Sequence, residues 1–259
     1  MDKISKAQVK MVRSLQQKKF RDELGLFVAE GEKCVEELAK VFELVHLYTN
    51  SEAINGKAYQ REAVIVPQEQ IEQLSGLRTP QGVIGIFKKP SQPSTLNSHS
   101  LKPHSLTLAL DGIQDPGNLG TIIRTCDWFG VYDIVCSFDT ADCFNPKVVQ
   151  ATMGALARVR VHYVDLPKWL SEQKCPIIGT LLDGRDMYEV LQQSGLIGEV
   201  DHAVIVMGNE GNGISAAVRQ LVSLPIRIPN YPKNAETSES LNVSIATAIV
   251  LAEFRRPKN

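Results

Sequence analysis

Aromatic residues are scarce in this chain of 259 residues: Phe, Trp and Tyr make up 6 % of it and do not interleave with basic residues. That argues against a base-stacking platform of the RNA-recognition-motif kind. Cysteine is sparse and unpatterned. Cys34, Cys126, Cys136, Cys143 and Cys175 form no C-x-x-C pair, and the five histidines supply no paired ligand spacing. No metal is expected, and a reduced, cytoplasmic protein is. An excess of one charge is also missing, since the formal net charge is −1, so composition gives no global argument for a polyanionic partner. No apolar run approaches the roughly 18 residues of a membrane helix. The basic start has no apolar stretch behind it, so neither a membrane span nor a secretory signal is expected, and it is Arg-poor for a mitochondrial presequence. Finally, neither G-x-G-x-x-G after a strand nor G-x-x-x-x-G-K-[ST] occurs, which removes the main support for an ordinary dinucleotide site or a P-loop.

What is present is 43 % hydrophobic content, enough for one large core or two modest ones. The near-neutral total hides a basic stretch, Met1 to Arg21, with seven Lys or Arg against one Asp. Together with Lys88-Lys89 it is a candidate for phosphate contacts, although a solvated helix face reads equally well. Lys88 to His104 (KKPSQPSTLNSHSLKPH) is rich in Pro, Ser and Lys, and marks a linker. The division is therefore 1–90, a linker over 91–104, and 105–259. Ahead of the linker, helical periodicity over Val9 to Phe20 and in GEKCVEELAKV joins short strand-like runs (LFVAE, ELVHLYT, AVIVP, GVIGIF), which is a small α/β domain. Beyond it, LTLAL, YDIVCSF, RVRVHYV, PIIGTLL, HAVIVMG and LPIRIPN alternate with helical stretches. Continuous apolar strands of this type predict an α/β fold with a mostly parallel sheet covered by helices on both faces, and a ligand at the carboxyl ends of its strands.

Three strand ends carry the candidate chemistry. In LDGIQDPGNLGTIIRTCDWFG (Leu110 to Gly130), Gly112, Gly117 and Gly120 permit tight turns, Asn118 is suited to capping a helix, and Leu119, Ile122, Ile123, Cys126 and Phe129 form its buried stripe. Arg124 lies off that stripe. It suits a phosphate, while taken alone it reads first as a surface arginine. In VIVMGNEGNGIS (Val204 to Ser215) an apolar strand runs into a glycine cluster around Glu210, either a ligand-approaching loop or a plain turn. In IRIPNYPKNAETSESLNVSIATAIVLAEF (Ile226 to Phe254) a strand and a polar loop lead to a helix predicted to begin near Ser240-Leu241-Asn242, with Ser240 as its cap or as a ligand contact. Ala246, Ala248 and Ala252 let that helix pack closely.

Together the segments resemble the SpoU (TrmH) family of RNA ribose 2′-O-methyltransferases, of the SPOUT class. The resemblance rests on Asn118, Gly120 and Arg124 (N-x-G-x-x-x-R), on Gly208-Asn209-Glu210-Gly211 with Gly213, and on Ile228-Pro229 followed by Ser240-Leu241-Asn242-Val243-Ser244, with NPKVVQATMGAL (Asn145 to Leu156) as the intervening helix. The front domain is similar to the small L30e-type domain of such enzymes. The resemblance implies a C-terminal trefoil knot, which connection rules alone would not foresee. It also implies S-adenosyl-L-methionine as cofactor, held around Thr180, Leu181, Gly208, Asn209, Gly213, Ile228 and Leu241. The reaction would fall to Arg124, with Asn118, Glu210, Ser240 and Asn242 orienting the ribose and the loops. It further implies a homodimer through the knot and an RNA substrate, ribosomal ahead of transfer RNA. A guanidinium is a poor proton acceptor at neutral pH, so the residue chemistry assigns Arg124 to phosphate or developing alkoxide. Two rival readings are a non-catalytic RNA-binding protein, which loss of Asn118, Arg124, Glu210 or Asn242 would favour, and a nucleotide enzyme that prefers NAD.

Overall fold

The computed structural model describes residues 4–50, 54, 63–90, 105–194, 202–232, 238 and 240–257. The expected linker over 91–104 and most of the loop NYPKNAETSE lie outside the described residues. The chain forms two compact units, Met1–Pro93 with Asp142–Ala157, and Ser94–Ala141 with Arg158–Asn259.

The first unit opens with α1 (Lys6–Ser14), where Ser5 Oγ accepts from Gln8 N (3.2 Å) and Gln8 Oε1 accepts from Ser5 N (2.9 Å). This reciprocal cap fixes the helix start. The periodic stretch expected as one helix over Val9 to Phe20 is instead broken, with α2 at Lys18–Leu24. The break has a chemical cause: Arg21 Nη1 donates to the carbonyls of Leu15 (2.8 Å) and Gln16 (3.0 Å), satisfying acceptors that a continuing helix would have used. Gly25, at φ +64°, ends α2 in the left-handed conformation. There follow β1 (Leu26–Glu30), α3 (Glu32–Ala39), β2 (Leu44–Thr49), β3 (Ala63–Ile65), α4 (Gln68–Leu74) and β4 (Val83–Lys88). The sheet order is β1-β4-β2-β3, antiparallel except for the β2/β3 pair. Val12, Leu15, Val28, Tyr48, Ile84 and Ile86 fill its core.

The second unit begins with β5 (Ser105–Asp111), α5 (Pro116–Trp128) and β6 (Asp133–Ser137). The next stretch, read from sequence as a helix over Asn145 to Leu156 in the domain 105–259, is helical only as α6 (Pro146–Thr152) plus a 3₁₀ turn at Ala155–Ala157, and it packs within the first unit. Burial explains the attachment. Arg21, 1 % exposed, donates from Nε (3.1 Å) and Nη2 (2.7 Å) to Asp142 Oδ2, and Phe144 packs on Phe27 in a tilted pair with centroids 4.7 Å apart. Cys34 Sγ donates to the Val149 carbonyl at 3.8 Å, and burial pushes this thiol up to about 12.

After this segment come β7 (Arg160–Val164), α7 (Leu166–Ser171), β8 (Ile177–Asp186), α8 (Met187–Ser194), β9 (His202–Gly208), α9 (Ala216–Arg219), β10 (Leu224–Arg227) and α10 (Val243–Phe254). The six strands run parallel in the order β10-β8-β9-β5-β6-β7. The sheet type expected from the continuous apolar runs is the one observed. Ala109, Val135, Val204, Val206, Trp169 and Leu170 belong to its core. β8 is longer than the PIIGTLL run because its far end pairs again with β10, at Arg185–Asp186, after a register shift. At the opposite, amino end of the sheet, Arg160 grips Asp133 through Nε (2.8 Å) and Nη2 (2.6 Å), and His162 donates from Nε2 (3.2 Å). Among the described residues no helix is long and apolar enough to cross a membrane.

Candidate active site

The carboxyl ends of β5 and β9 are neighbours, with Asp111 opposite Gly208 in the ladder. Both strands turn there under tight constraint. Gly112 sits at φ +74°, and its N–H donates to Ser137 Oγ at 2.8 Å. At Gly208 a Cβ would collide with the backbone of Gly213 and Ile214, coming within 2.6 Å of the Gly213 carbonyl oxygen. The collision follows from a close return of the chain: Asn209 and Gly213 exchange both N–H···O bonds at 2.9 Å. Gly213 completes the turn at φ +67°.

Asn209 organises this loop with its whole side chain. Its Oδ1 accepts from Gly211 N (2.9 Å) and Asn212 N (3.0 Å), while Nδ2 donates to the Gly112 carbonyl (2.7 Å). Asp111, buried, accepts from Ser215 N at 2.7 Å and pins the far end of the loop. Sequence reading missed Asp111 and gave Asn209 only a cofactor contact; an Asp-Gly pair at a strand end was the available signal.

α5 starts differently from the expectation. Asp115, not Asn118, caps it, accepting from Asn118 N at 2.7 Å with Pro116 in the first turn. The reason is the D-P order, since proline is favoured directly after the cap. The consequence is that the Asn118 side chain is free. Its Nδ2 donates to Glu210 Oε1 (2.8 Å) and its Oδ1 accepts from Asn242 Nδ2 (2.9 Å). Only one orientation of the amides satisfies every partner. Glu210 as a carboxylate can only accept, so the Asn118 amino group must face it and its oxygen must face Asn242. Asn242 then turns its oxygen to the start of α10, where it accepts from Ser244 N (3.0 Å), Ser244 Oγ (2.6 Å) and Ile245 N (3.4 Å). Asn242 is therefore the cap of α10, and Ser240, expected in that role, precedes the helix and is exposed. Asparagine wins because it has both an acceptor for the helix N–H groups and a donor for Asn118.

Arg124 lies two turns into α5 on the exposed face, and among the described residues no side chain pairs with it. Thr180 donates from Oγ1 to the Val206 carbonyl (3.1 Å), tying β8 to β9, and Leu181 packs against the core. Ile228 is half-buried past the end of β10, and Leu241 is half exposed. The structure thus joins Asn118, Glu210 and Asn242 directly. Thr180, Leu181, Ile228, Ser240 and Leu241 make no hydrogen bond to that trio among the described residues. The arrangement joins a carboxylate and two amides at the start of α5, the loop after β9 and the cap of α10, while α5 also carries the exposed Arg124 guanidinium, which has no partner among the described residues. Such a set can orient a hydroxyl and receive an anion.

Comparison with known proteins gives the family and the fold. Residues 105–252 match the SpoU rRNA Methylase family, and residues 6–85 match the MRM3-like substrate binding domain. The 23S rRNA (guanosine(2553)-2′-O)-methyltransferase RlmP of Bacillus subtilis is 28 % identical over 253 residues, covering 95 % of each chain. Among solved structures, a putative RNA methyltransferase of the TrmH family from Porphyromonas gingivalis is 36 % identical with a TM-score of 0.85, over 98 % of this chain and 99 % of that one. An AdoMet-bound rRNA methyltransferase from Sinorhizobium meliloti is 31 % identical with a TM-score of 0.82, over 98 % and 96 %.

Proposed function

Because the chain belongs to the SpoU rRNA methylase family, we propose that it is an S-adenosylmethionine-dependent methyltransferase acting on a ribose 2′-hydroxyl of ribosomal RNA. The observation that carries this reading is the Asn118 amide, bonded at once to Glu210 and Asn242, residues 92 and 124 positions away in sequence. Three segments that were separately weak signals converge on one side chain.

The bound cofactor supplies an activated methyl group. The loops after β9 and β10 and before α10 would hold the cofactor through Gly208, Gly213, Ile228 and Leu241, and the missing Cβ at Gly208 lets the backbone of Gly213 and Ile214 return closely enough to shape that rim. Thr180 and Leu181 would flank it. Asn118, Glu210, Ser240 and Asn242 orient the ribose and fix the loops. Arg124 holds a phosphate of the RNA and stabilises negative charge as the 2′-hydroxyl loses its proton. A trefoil knot threaded through the C-terminal segment is part of the same reading; the placement of β10 beside β8 is compatible with it.

A homodimer is part of the same reading, and what supports it is the outer surface of α5 and α10, which pack against each other. Trp128 is 86 % exposed and Ile245 52 % exposed. Ile245, Ala248, Ile249 and Ala252 lie at i, i+3, i+4, i+7 on α10 and are not fully buried, an apolar stripe that a second copy would cover. Arg124 would then reach the partner's site. Ile245→Glu should shift the protein to monomer in sedimentation velocity. Five free cysteines support a reducing, cytoplasmic setting.

The test is calorimetric titration with S-adenosylmethionine, NAD serving as control, followed by methylation of rRNA from a deletion strain. Arg124→Ala should lose at least about tenfold in rate, the value of one hydrogen bond to a charged group. Methylation at the parental rate would refute the assignment, and preference for NAD would refute the cofactor.

A further inference from the structure

The methyl-transfer site leaves the basic N-terminal stretch unused. Several of its cations, and the nearby Lys88-Lys89 pair, are held by the protein itself, Lys19 for instance lying over the Phe20 ring. Arg21 is buried on Asp142, Lys89 pairs with Asp22, and Lys88 pairs with Glu43 at 2.6 Å. Lys6, Lys10 and Arg13 differ. They recur at i, i+4, i+7 on the exposed face of α1, and among the described residues none of their side chains has a partner. The row spans about 10 Å along the helix.

It runs into a groove of about 530 Å³ within the first unit, lined by Arg13, Gln16, Glu72, Ser75, Gly76 and Arg78 among others. Arg78 is exposed and likewise unpaired among the described residues. The wall that carries it is built rather than loose. Glu30, 5 % exposed, accepts from Ser75 Oγ and from Gly76 N (2.8 Å), and Ser75 Oγ accepts from Leu77 N (3.0 Å). A buried carboxylate therefore fixes the corner from which Arg78 projects. Glu72, the acidic side chain in the lining, accepts from Gln68 Nε2 at 3.0 Å.

We propose that this groove, with the Lys6-Lys10-Arg13 face leading into it, is a binding site for the sugar-phosphate backbone of an RNA strand, Arg13 and Arg78 each taking a phosphate. The inference rests on the RNA-methyltransferase reading and locates one place where the substrate is held. Two guanidiniums with no partner among the described residues match phosphate oxygens, and Gln16 and Glu72 offer a donor and an acceptor to ribose hydroxyls. The groove holds no aromatic side chain in its described lining, so contact is to the backbone and carries no sequence information.

The test uses the full chain and an unmethylated 23S rRNA transcript, with binding measured between about 50 and 200 mM salt. The double variant Arg13→Gln/Arg78→Gln should bind about tenfold more weakly and reduce the slope of log K against log salt by about 1.5, the loss of two phosphate contacts. Affinity for S-adenosylmethionine should stay at the parental value. The matched control Lys88→Gln/Lys89→Gln removes ion-paired lysines and should leave the slope unchanged. A parental slope in the Arg13/Arg78 variant, or an equal loss in the control, overturns the groove. Failure of the underlying reading looks different: a parent that binds the transcript but transfers no methyl group to rRNA.

Discussion

Replacing Gly208 by alanine should separate the cofactor cradle from the rest of the fold. The added Cβ would lie 2.6 Å from the Gly213 carbonyl oxygen and nearer still to the Gly213 carbonyl carbon and Ile214 N, against the 3.4 Å at which ordinary contact begins, so the facing backbone must retreat by roughly 1 Å. No rotamer relieves this, because the obstruction is main chain. The retreat strains the two 2.9 Å bonds between Asn209 and Gly213. Overpacking of this kind costs about 1 to 3 kcal/mol and the loss of one of the two bonds about 0.5 to 1.5, which centres on about 3 kcal/mol. Spent on the loop, that is about a hundredfold in the population of the binding geometry. Gly208→Ala should therefore weaken S-adenosylmethionine binding by about a hundredfold in calorimetry, while the first unit keeps its hydrogen-exchange protection. A dissociation constant within about threefold of the parent would show that the close return of the chain after β9 does not shape the cradle.

Asn118→Asp should impair methylation more than Asn118→Ala, since it sets a carboxylate against Glu210 where an amide now donates at 2.8 Å; equal rates for the two variants would remove the bridging role. Arg21→Ala should destabilise the first unit by about 3 to 5 kcal/mol in urea, because the Asp142 carboxylate loses its partner in a buried setting; a loss below about 1 kcal/mol would contradict that. At Asp133 burial acts to raise the carboxyl, but the hydrogen bonds from His162 and Arg160 and their charge more than offset it and hold it at about 2 against an ordinary 3.8. The folded value is depressed, so this stabilisation is complete above about pH 4 and is lost as pH falls towards 2. It amounts to about 2 kcal/mol. Asp133→Asn should flatten the stability profile over that window in acid titrations followed by circular dichroism.

Much of this was legible in the residues themselves. The apolar runs at LTLAL, DIVCS and HAVIVMG gave a parallel sheet because strands buried on both faces carry no alternation to misread. The three strand-end motifs were found by type and order. Their mutual contact was not, because hydrogen bonds across 92 and 124 residues leave no local signature. Cap positions went wrong in the same direction twice. Asn118 and Ser240 are good caps by propensity, but Asp115 followed by proline, and Asn242 with its two-sided amide, served the local backbone better. The break between α1 and α2 escaped periodicity since it depends on Arg21 folding back onto carbonyls and reaching Asp142.

That last pairing also bears on how the protein is made. Arg21 leaves the ribosome 121 residues ahead of Asp142, an interval of roughly 6 to 24 seconds at ordinary rates of synthesis. In the latter part of that time, once β4 has followed, the leading unit has all four strands of its sheet but neither the carboxylate for its buried guanidinium nor Phe144 to cover Phe27. Cutting the chain near Pro93 would make the same incomplete state permanent, so the leading fragment should prove unstable or aggregation-prone unless residues 142–157 are supplied with it.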